Sequence, residues 1–120
     1  MTKILVVDDE KDVCDFVQNF FEERGCTVFC ALNGFHALEI VDKEKPDLIL
    51  LDVRMREMDG LETLRKIRKT GKNVKVFMVT AADEQDKIDA ARDLGVCKYL
   101  TKPLDLADLE KAVQSCSKKG

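Results

Sequence analysis

The feature that most constrains this chain is an alternation. Five apolar, strand-like runs, "KILVV" (3–7), "CTVFCA" (26–31), "DLILL" (47–51), "VKVFMV" (74–79) and "VCKYL" (96–100), alternate with five helical patterns. In the first helix Val13, Phe16, Val17, Phe20 and Phe21 recur at i, i+3, i+4, i+7 and i+8, a single apolar stripe, and Gly25 follows as its stop. Leu38 and Val41 mark a second helix, closed before Pro46 because a residue ahead of proline disfavours helix. Leu61, Leu64 and Ile67 mark a third, ended by Gly71, and Ile88, Ala91 and Leu94 a fourth, ended by Gly95. Leu106, Leu109, Val113 and Cys116 mark a fifth, with Lys118 and Lys119 suited to its negative end.

Strict alternation of this kind requires a parallel sheet with helices on both faces. Runs 1, 3 and 4 are almost unbroken in their apolar character and belong in the centre. Runs 2 and 5 carry Thr27 and Lys98, which suit edges. The order 2-1-3-4-5 satisfies both conditions: an α/β, (βα)5, flavodoxin-like doubly wound fold, expected as one domain over residues 1–120. Such sheets form their sites beyond the carboxyl ends of the strands.

Asp8 and Asp9 follow the first run, Asp52 the third, Thr80 the fourth, and Lys102-Pro103 the fifth. Each has an ordinary reading alone. Asp8 or Asp9 could cap a helix beginning near Lys11, Asp52 could be a turn residue, and Thr80 could end a strand before an Asp83 cap. Lys102 could be solvated, and Tyr99 could pack on an edge strand. Convergence on one rim is what these readings do not explain. Three clustered carboxylates resist joint ionisation, and one lysine offsets one charge, so the group calls for a divalent cation. Oxygen donors without Cys or His favour a hard ion, Mg²⁺ ahead of Mn²⁺ or Ca²⁺. A carboxylate beside Mg²⁺, lysine and a hydroxyl is a nucleophile for phosphorus.

Composition removes other classes. A net charge of −3 gives no reason to bind nucleic acid or an anionic membrane. No apolar stretch is long enough to span a bilayer and no signal peptide is evident, so a cytoplasmic location is expected. Five cysteines, Cys14, Cys26, Cys30, Cys97 and Cys116, form no C-x-x-C pair and are expected to be reduced, core-filling thiols. His36 is the sole histidine, which removes histidine-based metal or nucleophile constellations. The basic run Arg65, Lys66, Arg68, Lys69, Lys72 and Lys75 reads as a solvated face.

These motifs, "VVDDE", "LILLDVRM" with "MDG", "VTAA" and "YLTKP", occur in order over nearly the whole chain. Together they resemble the receiver domain of bacterial two-component response regulators. The resemblance implies Asp52 as phosphoacceptor and Mg²⁺ held by Asp9 directly, Asp8 through water, Asp52 and the Arg54 backbone carbonyl. It implies Lys102 as the phosphoryl-contacting lysine, a cis Lys102-Pro103 bond, Thr80 as the hydroxyl that moves toward the phosphoryl group, and Tyr99 as the aromatic switch. Small Ala81 leaves room for phosphate.

The donor would be a histidine kinase or histidine phosphotransfer protein. The output would be a changed face of helix 4, strand 5 and helix 5, read by an unknown protein target. Catalysis would be limited to self-phosphorylation and slow autodephosphorylation. With the chain ending at Gly120, a protein–protein output is expected.

Two residues depart from the family pattern. Arg56 stands where proline is common, and Arg54 is a long cation able to overhang the pocket and to alter the phosphoryl lifetime. Ala82 offers no side-chain function. The alternative is a phosphorylation-independent receiver-like binding module. A flavin carrier is disfavoured because "DDEKD" would repel phosphate, and a haloacid-dehalogenase-type phosphatase because "DDE" is not D-x-D.

Overall fold

The computed structural model describes residues 2–70, 72–81 and 83–117, the side chains of 115–117 excepted. Gly71, Ala82, Lys118, Lys119 and the Cys116 side chain, which figure in the sequence reading, lie outside the described residues. The chain runs β1 (Lys3–Val7), α1 (Lys11–Glu22), β2 (Thr27–Ala31), α2 (Gly34–Glu44), β3 (Leu48–Asp52), α3 (Gly60–Lys69), β4 (Lys75–Thr80), α4 (Gln85–Ala91), β5 (Lys98–Thr101) and α5 (Leu106–Ser117). The strands form one parallel sheet in the order β2-β1-β3-β4-β5, as the burial argument requires.

Side-chain alternation along each strand divides the interior into two layers. Ile4, Val6, Leu48, Leu50, Phe77 and Val79 face α1 and α5, against Val17, Phe20, Phe21 and Leu109. Leu5, Val7, Ile49, Leu51, Val76 and Met78 face the other helices, against Ala37, Val41, Leu64, Ile67 and Ala91. Every residue of β3 is buried, whereas Thr27 and Lys98 on the edge strands are only half-buried. The register aligns Val7 with Leu51, Asp52 with Val79, and Thr80 with Thr101. The carboxyl ends of the strands therefore share one rim.

Local details refine the helix expectations. In α1 the buried face is Cys14, Val17, Phe20 and Phe21, while Phe16 is 40% exposed. The stripe is rotated because Cys14, not Phe16, faces the sheet, and Phe16 lines an open groove with Pro103 and Leu104. Lys45 ends α2 in the left-handed region immediately before Pro46. The fourth helix stops as an α-helix at Ala91; its last turn tightens to a 3-10 turn over Arg92–Leu94, closed by Gly95 at φ 73°. Only Ala91 of α4 is buried, so little apolar packing holds this element.

The basic run is not uniformly solvated. Arg68 is partly buried and donates to the carbonyls of Leu94 (2.7 Å), Val74 (2.8 Å), Lys72 (3.1 Å) and Gly95 (3.3 Å). Its planar fork ties the end of α3 to the turns before β4 and β5. Arg68→Ala is expected to cost about 2–3 kcal/mol, because several carbonyls lose a charged donor. A lower urea midpoint at unchanged m-value is the readout, and Arg68→Lys should restore only part of it.

One cysteine expectation is corrected. Cys14, Cys26 and Cys30 are free thiols, but Cys97 is disulfide-bonded. The C-x-x-C criterion detects only local pairs and is blind to a partner brought near by folding. Among the described residues, no helix is long and apolar enough to cross a membrane.

Candidate functional site

β1 and β3, side by side in the sheet centre, bring their terminal carboxylates together. Asp8 is 2% exposed and Asp52 3%, with Asp9 half-buried beside them. One carboxylate oxygen from each of Asp8, Asp9 and Asp52 lies within 4.8 Å of the others. The local backbone fixes two of them. Asp8 Oδ1 accepts from the Glu10 N–H at 2.9 Å, and Asp52 Oδ1 accepts from the Arg54 N–H at 3.2 Å. The helix-capping reading of Asp8 and Asp9 does not hold, since Glu10 occupies the cap position of α1.

Lys102 reaches in from the loop after β5, across a Lys102-Pro103 bond that is cis as expected. Its Nζ lies 3.1 Å from Asp52 Oδ2, 3.3 Å from Asp8 Oδ2 and 3.3 Å from Glu10 Oε1. Burial pushes the Asp52 carboxyl up to about 6, and the neighbouring Asp8 charge adds to this against the opposing pull of Lys102 and the Arg54 N–H. Burial likewise raises Asp8, opposed by the Glu10 N–H and by Lys102. Lys102 is lowered by burial, but the Asp52 and Asp8 carboxylates outweigh that and hold it above its ordinary value. One ammonium thus leaves the carboxylates under-neutralised.

The donor set fits a hard divalent cation. Three carboxylates converge with oxygen donors only, and the charge they leave uncompensated is of the size such an ion would cancel. Few protein ligands and an open rim suit Mg²⁺, which retains waters and shares its site with phosphate.

The remaining predicted residues fall into two groups. Thr80 ends β4 buried at the rim, its hydroxyl 3.5 Å from the Leu100 carbonyl it faces, and its own carbonyl accepts from the Lys102 N–H at 2.9 Å. Tyr99 is half-buried on β5, and its hydroxyl donates to the Ile88 carbonyl of α4 at 3.4 Å. Its contact is with α4, the helix whose position a switch residue would report. The Arg54 side chain is 65% exposed but paired. Its Nε donates to Glu84 Oε2 at 3.1 Å, and its Nη2 lies 3.4 Å from Asp83 Oδ1. Arg56 is almost fully exposed, with only a 3.8 Å pairing to Asp9.

Sequence reasoning missed two acids. Glu10 completes the Lys102 cage and was legible as the third acid of "VVDDE". Glu84 is 6% exposed and accepts from the Ala81 N–H at 2.8 Å while pairing with Arg54. It, rather than Asp83, holds the cap position of α4. No spacing rule signals this, because its partner Arg54 lies thirty residues earlier.

The chain is similar to known proteins over nearly its whole length. The family model for the response regulator receiver domain matches residues 4–114. Sporulation initiation phosphotransferase F of Bacillus subtilis is 38% identical over 112 residues, covering 93% of this chain and 90% of that protein. Response regulator MprA of Mycobacterium ulcerans is 38% identical over 107 residues, covering 89% of this chain and 46% of that longer protein, about half its length. A crystal structure of a two-component response regulator from Clostridium difficile superposes with a TM-score of 0.91 at 32% identity, over 98% of this chain and 97% of that one.

Proposed function

This chain belongs to the response regulator receiver domain family, a family of signalling domains rather than conventional enzymes, and on that premise we propose that it is a phosphorylation switch with Asp52 as acceptor. The observation that carries the proposal is the pairing of a buried Asp52 with Lys102 at 3.1 Å inside a three-carboxylate cluster. That environment holds the acceptor carboxylate in a fixed direction and supplies a fixed positive charge beside the incoming phosphoryl oxygens.

Asp52 attacks the phosphorus of a phosphohistidine on a histidine kinase or phosphotransfer protein. The P–N bond breaks, its electron pair leaves with the imidazole, and Asp52 becomes an acyl phosphate. Water attack on phosphorus later returns the carboxylate and inorganic phosphate. Asp8 and Asp9 would hold Mg²⁺ with the Asp52 carboxylate and the Arg54 carbonyl. When bound, the ion neutralises charge on the phosphoryl oxygens and the carboxylates. Lys102 contacts the phosphoryl group, and Thr80 turns its hydroxyl from Leu100 toward it. Tyr99 then responds through α4, and the α4–β5–α5 face presents a changed surface to a protein target in the cytoplasm. The whole of residues 1–120 acts as one receiver domain in this reading.

The test is intact-mass spectrometry after incubation with acetyl phosphate, with and without Mg²⁺, on wild type and Asp52→Ala. A single phosphoryl gain that requires Mg²⁺ and vanishes in Asp52→Ala is the expected result. No gain in wild type, with a partner captured equally well by the untreated protein, would replace this reading with that of a phosphorylation-independent binding module.

A further inference from the structure

Among the described residues, Glu84 is the buried carboxylate at the rim that the phosphorylation reading does not use. Its side chain sits on two donors at once. Oε1 accepts from the N–H of Ala81, the residue directly after Thr80, at 2.8 Å. Oε2 accepts from Arg54, two residues after Asp52, at 3.1 Å. A carboxylate held by a backbone amide and a guanidinium demonstrates that these two groups together form an anion site. Both sit where the backbone leaves the pocket, and the Arg54 guanidinium is close enough to Asp52 for their charges to interact.

The other end of Glu84 is the start of α4. Its backbone carbonyl accepts from the N–H groups of Lys87 and Ile88, both at 3.1 Å, forming the first turn. The Ile88 carbonyl in turn accepts from the Tyr99 hydroxyl. Since α4 buries only Ala91, its N-terminal turn is held by polar contacts, the Glu84 side chain and the Lys87–Asp59 pair at 3.2 Å among them. Two short steps along the chain therefore connect the anion site to Tyr99.

We propose that Glu84 is an internal anion that keeps the switch closed: it occupies the Ala81 N–H and Arg54 until a phosphoryl group on Asp52 takes both donors. Release of Glu84 then loosens the first turn of α4 and, through Ile88, the contact with Tyr99. The proposal rests on the reading of Asp52 as phosphoacceptor and adds a positioning residue to it. A dianionic phosphoryl group on Asp52 competes for donors that a monoanionic carboxylate holds, and the exchange leaves the number of donor–acceptor pairs unchanged. Glu84 gains solvent in the exchange, which suits a charge otherwise buried.

The test uses beryllium fluoride with Mg²⁺, a stable mimic of the acyl phosphate, titrated into wild type, Glu84→Gln and Glu84→Asp. Tyr99 is the sole tyrosine and the chain has no tryptophan, so tyrosine emission reports that one position. Glu84→Gln is expected to bind the mimic about tenfold more tightly, the scale of one charge-assisted competitor removed. Its unliganded Tyr99 signal should lie part-way to the liganded wild-type value. Glu84→Asp, too short to bridge both donors, should move the same way, which separates loss of bridging from loss of charge. A merely structural Glu84 would lower thermal stability without tightening binding, and that result overturns the proposal. Wild type that takes up neither beryllium fluoride nor phosphoryl overturns the acceptor reading and the latch together; uptake by wild type with no tightening in either variant overturns the latch alone.

Discussion

Asp52→Asn is expected to abolish phosphoryl uptake and, in Mg²⁺-free buffer at pH 7, to stabilise the fold by about 2–3 kcal/mol. The two effects have one origin. Asp52 is driven from its ordinary 3.8 to about 6 by burial first and by the Asp8 charge second. A raised carboxyl means that the folded chain binds the proton more tightly than the unfolded one. The associated stability is complete below about pH 4 and is lost as pH rises through about 6. A rise from 3.8 to about 6 corresponds to about 3 kcal/mol at about 1.4 kcal/mol per pH unit. At pH 7 the wild type carries that cost, and asparagine, which cannot ionise, removes it while keeping shape and the acceptor position for the Arg54 N–H. The gain should therefore shrink as pH falls from 7 to 4, where the wild-type carboxyl is itself neutral. Urea melts of both proteins at several pH values in EDTA give the curve. A constant difference across pH would mean that the Asp52 charge is not what strains the site. Mg²⁺ should close the gap from the other side by binding and stabilising the wild type.

The same cost explains why the site is legible in the sequence. An apolar run ending in acid is a pattern that folding energetics alone would not favour, so Leu48–Asp52 marks a functional position by its residue types alone. Strand order follows from burial: four apolar residues ahead of Asp52 require a central strand, and Thr27 and Lys98 require edges, as found. Once the order is fixed, the rim and its occupants follow from topology. The residues that escape are those whose partners are chosen by loops. Arg68 looks like any other base of its run until the turns near Val74 and Gly95 close over it. Glu84 and Arg54 meet only because two loops fold toward each other across the end of β3 and β4. Phe16 fits the apolar period of α1 as well as Cys14 does, and a difference of one helical face is beyond what a short stripe resolves. Periodicity carries information about layers; it carries none about pairs of long side chains.

Gly60→Ala sets two of these levels against each other. Gly60 is the first residue of α3, and its dihedral angle is one that any residue can adopt. Helix propensity alone gives alanine an advantage of about 1 kcal/mol there. Space gives the opposite sign. A Cβ on Gly60 would stand 2.2 Å from the Asp52 carbonyl oxygen, 2.8 Å from Val53 Cα and 2.9 Å from the Asp52 carbonyl carbon. All three are backbone atoms, so no rotamer relieves the clash. Asp52 is held by its pairing with β4, and the Val53 N–H donates to the Val79 carbonyl at 3.0 Å. The helix must move instead, which breaks the Gly60 N–H bond to the Val53 carbonyl at 2.8 Å and disturbs the Asp59 cap on Glu62. A destabilisation of about 3 kcal/mol is expected after the propensity gain is subtracted. Function should fall as well, since the strand residue being pushed is the proposed acceptor, and a displacement of about 1 Å at a reacting group can cost about a hundredfold in rate. The acetyl phosphate rate measured on the fraction still folded separates the two losses. A variant that is less stable but reacts at the wild-type rate would show that α3 yields and Asp52 does not.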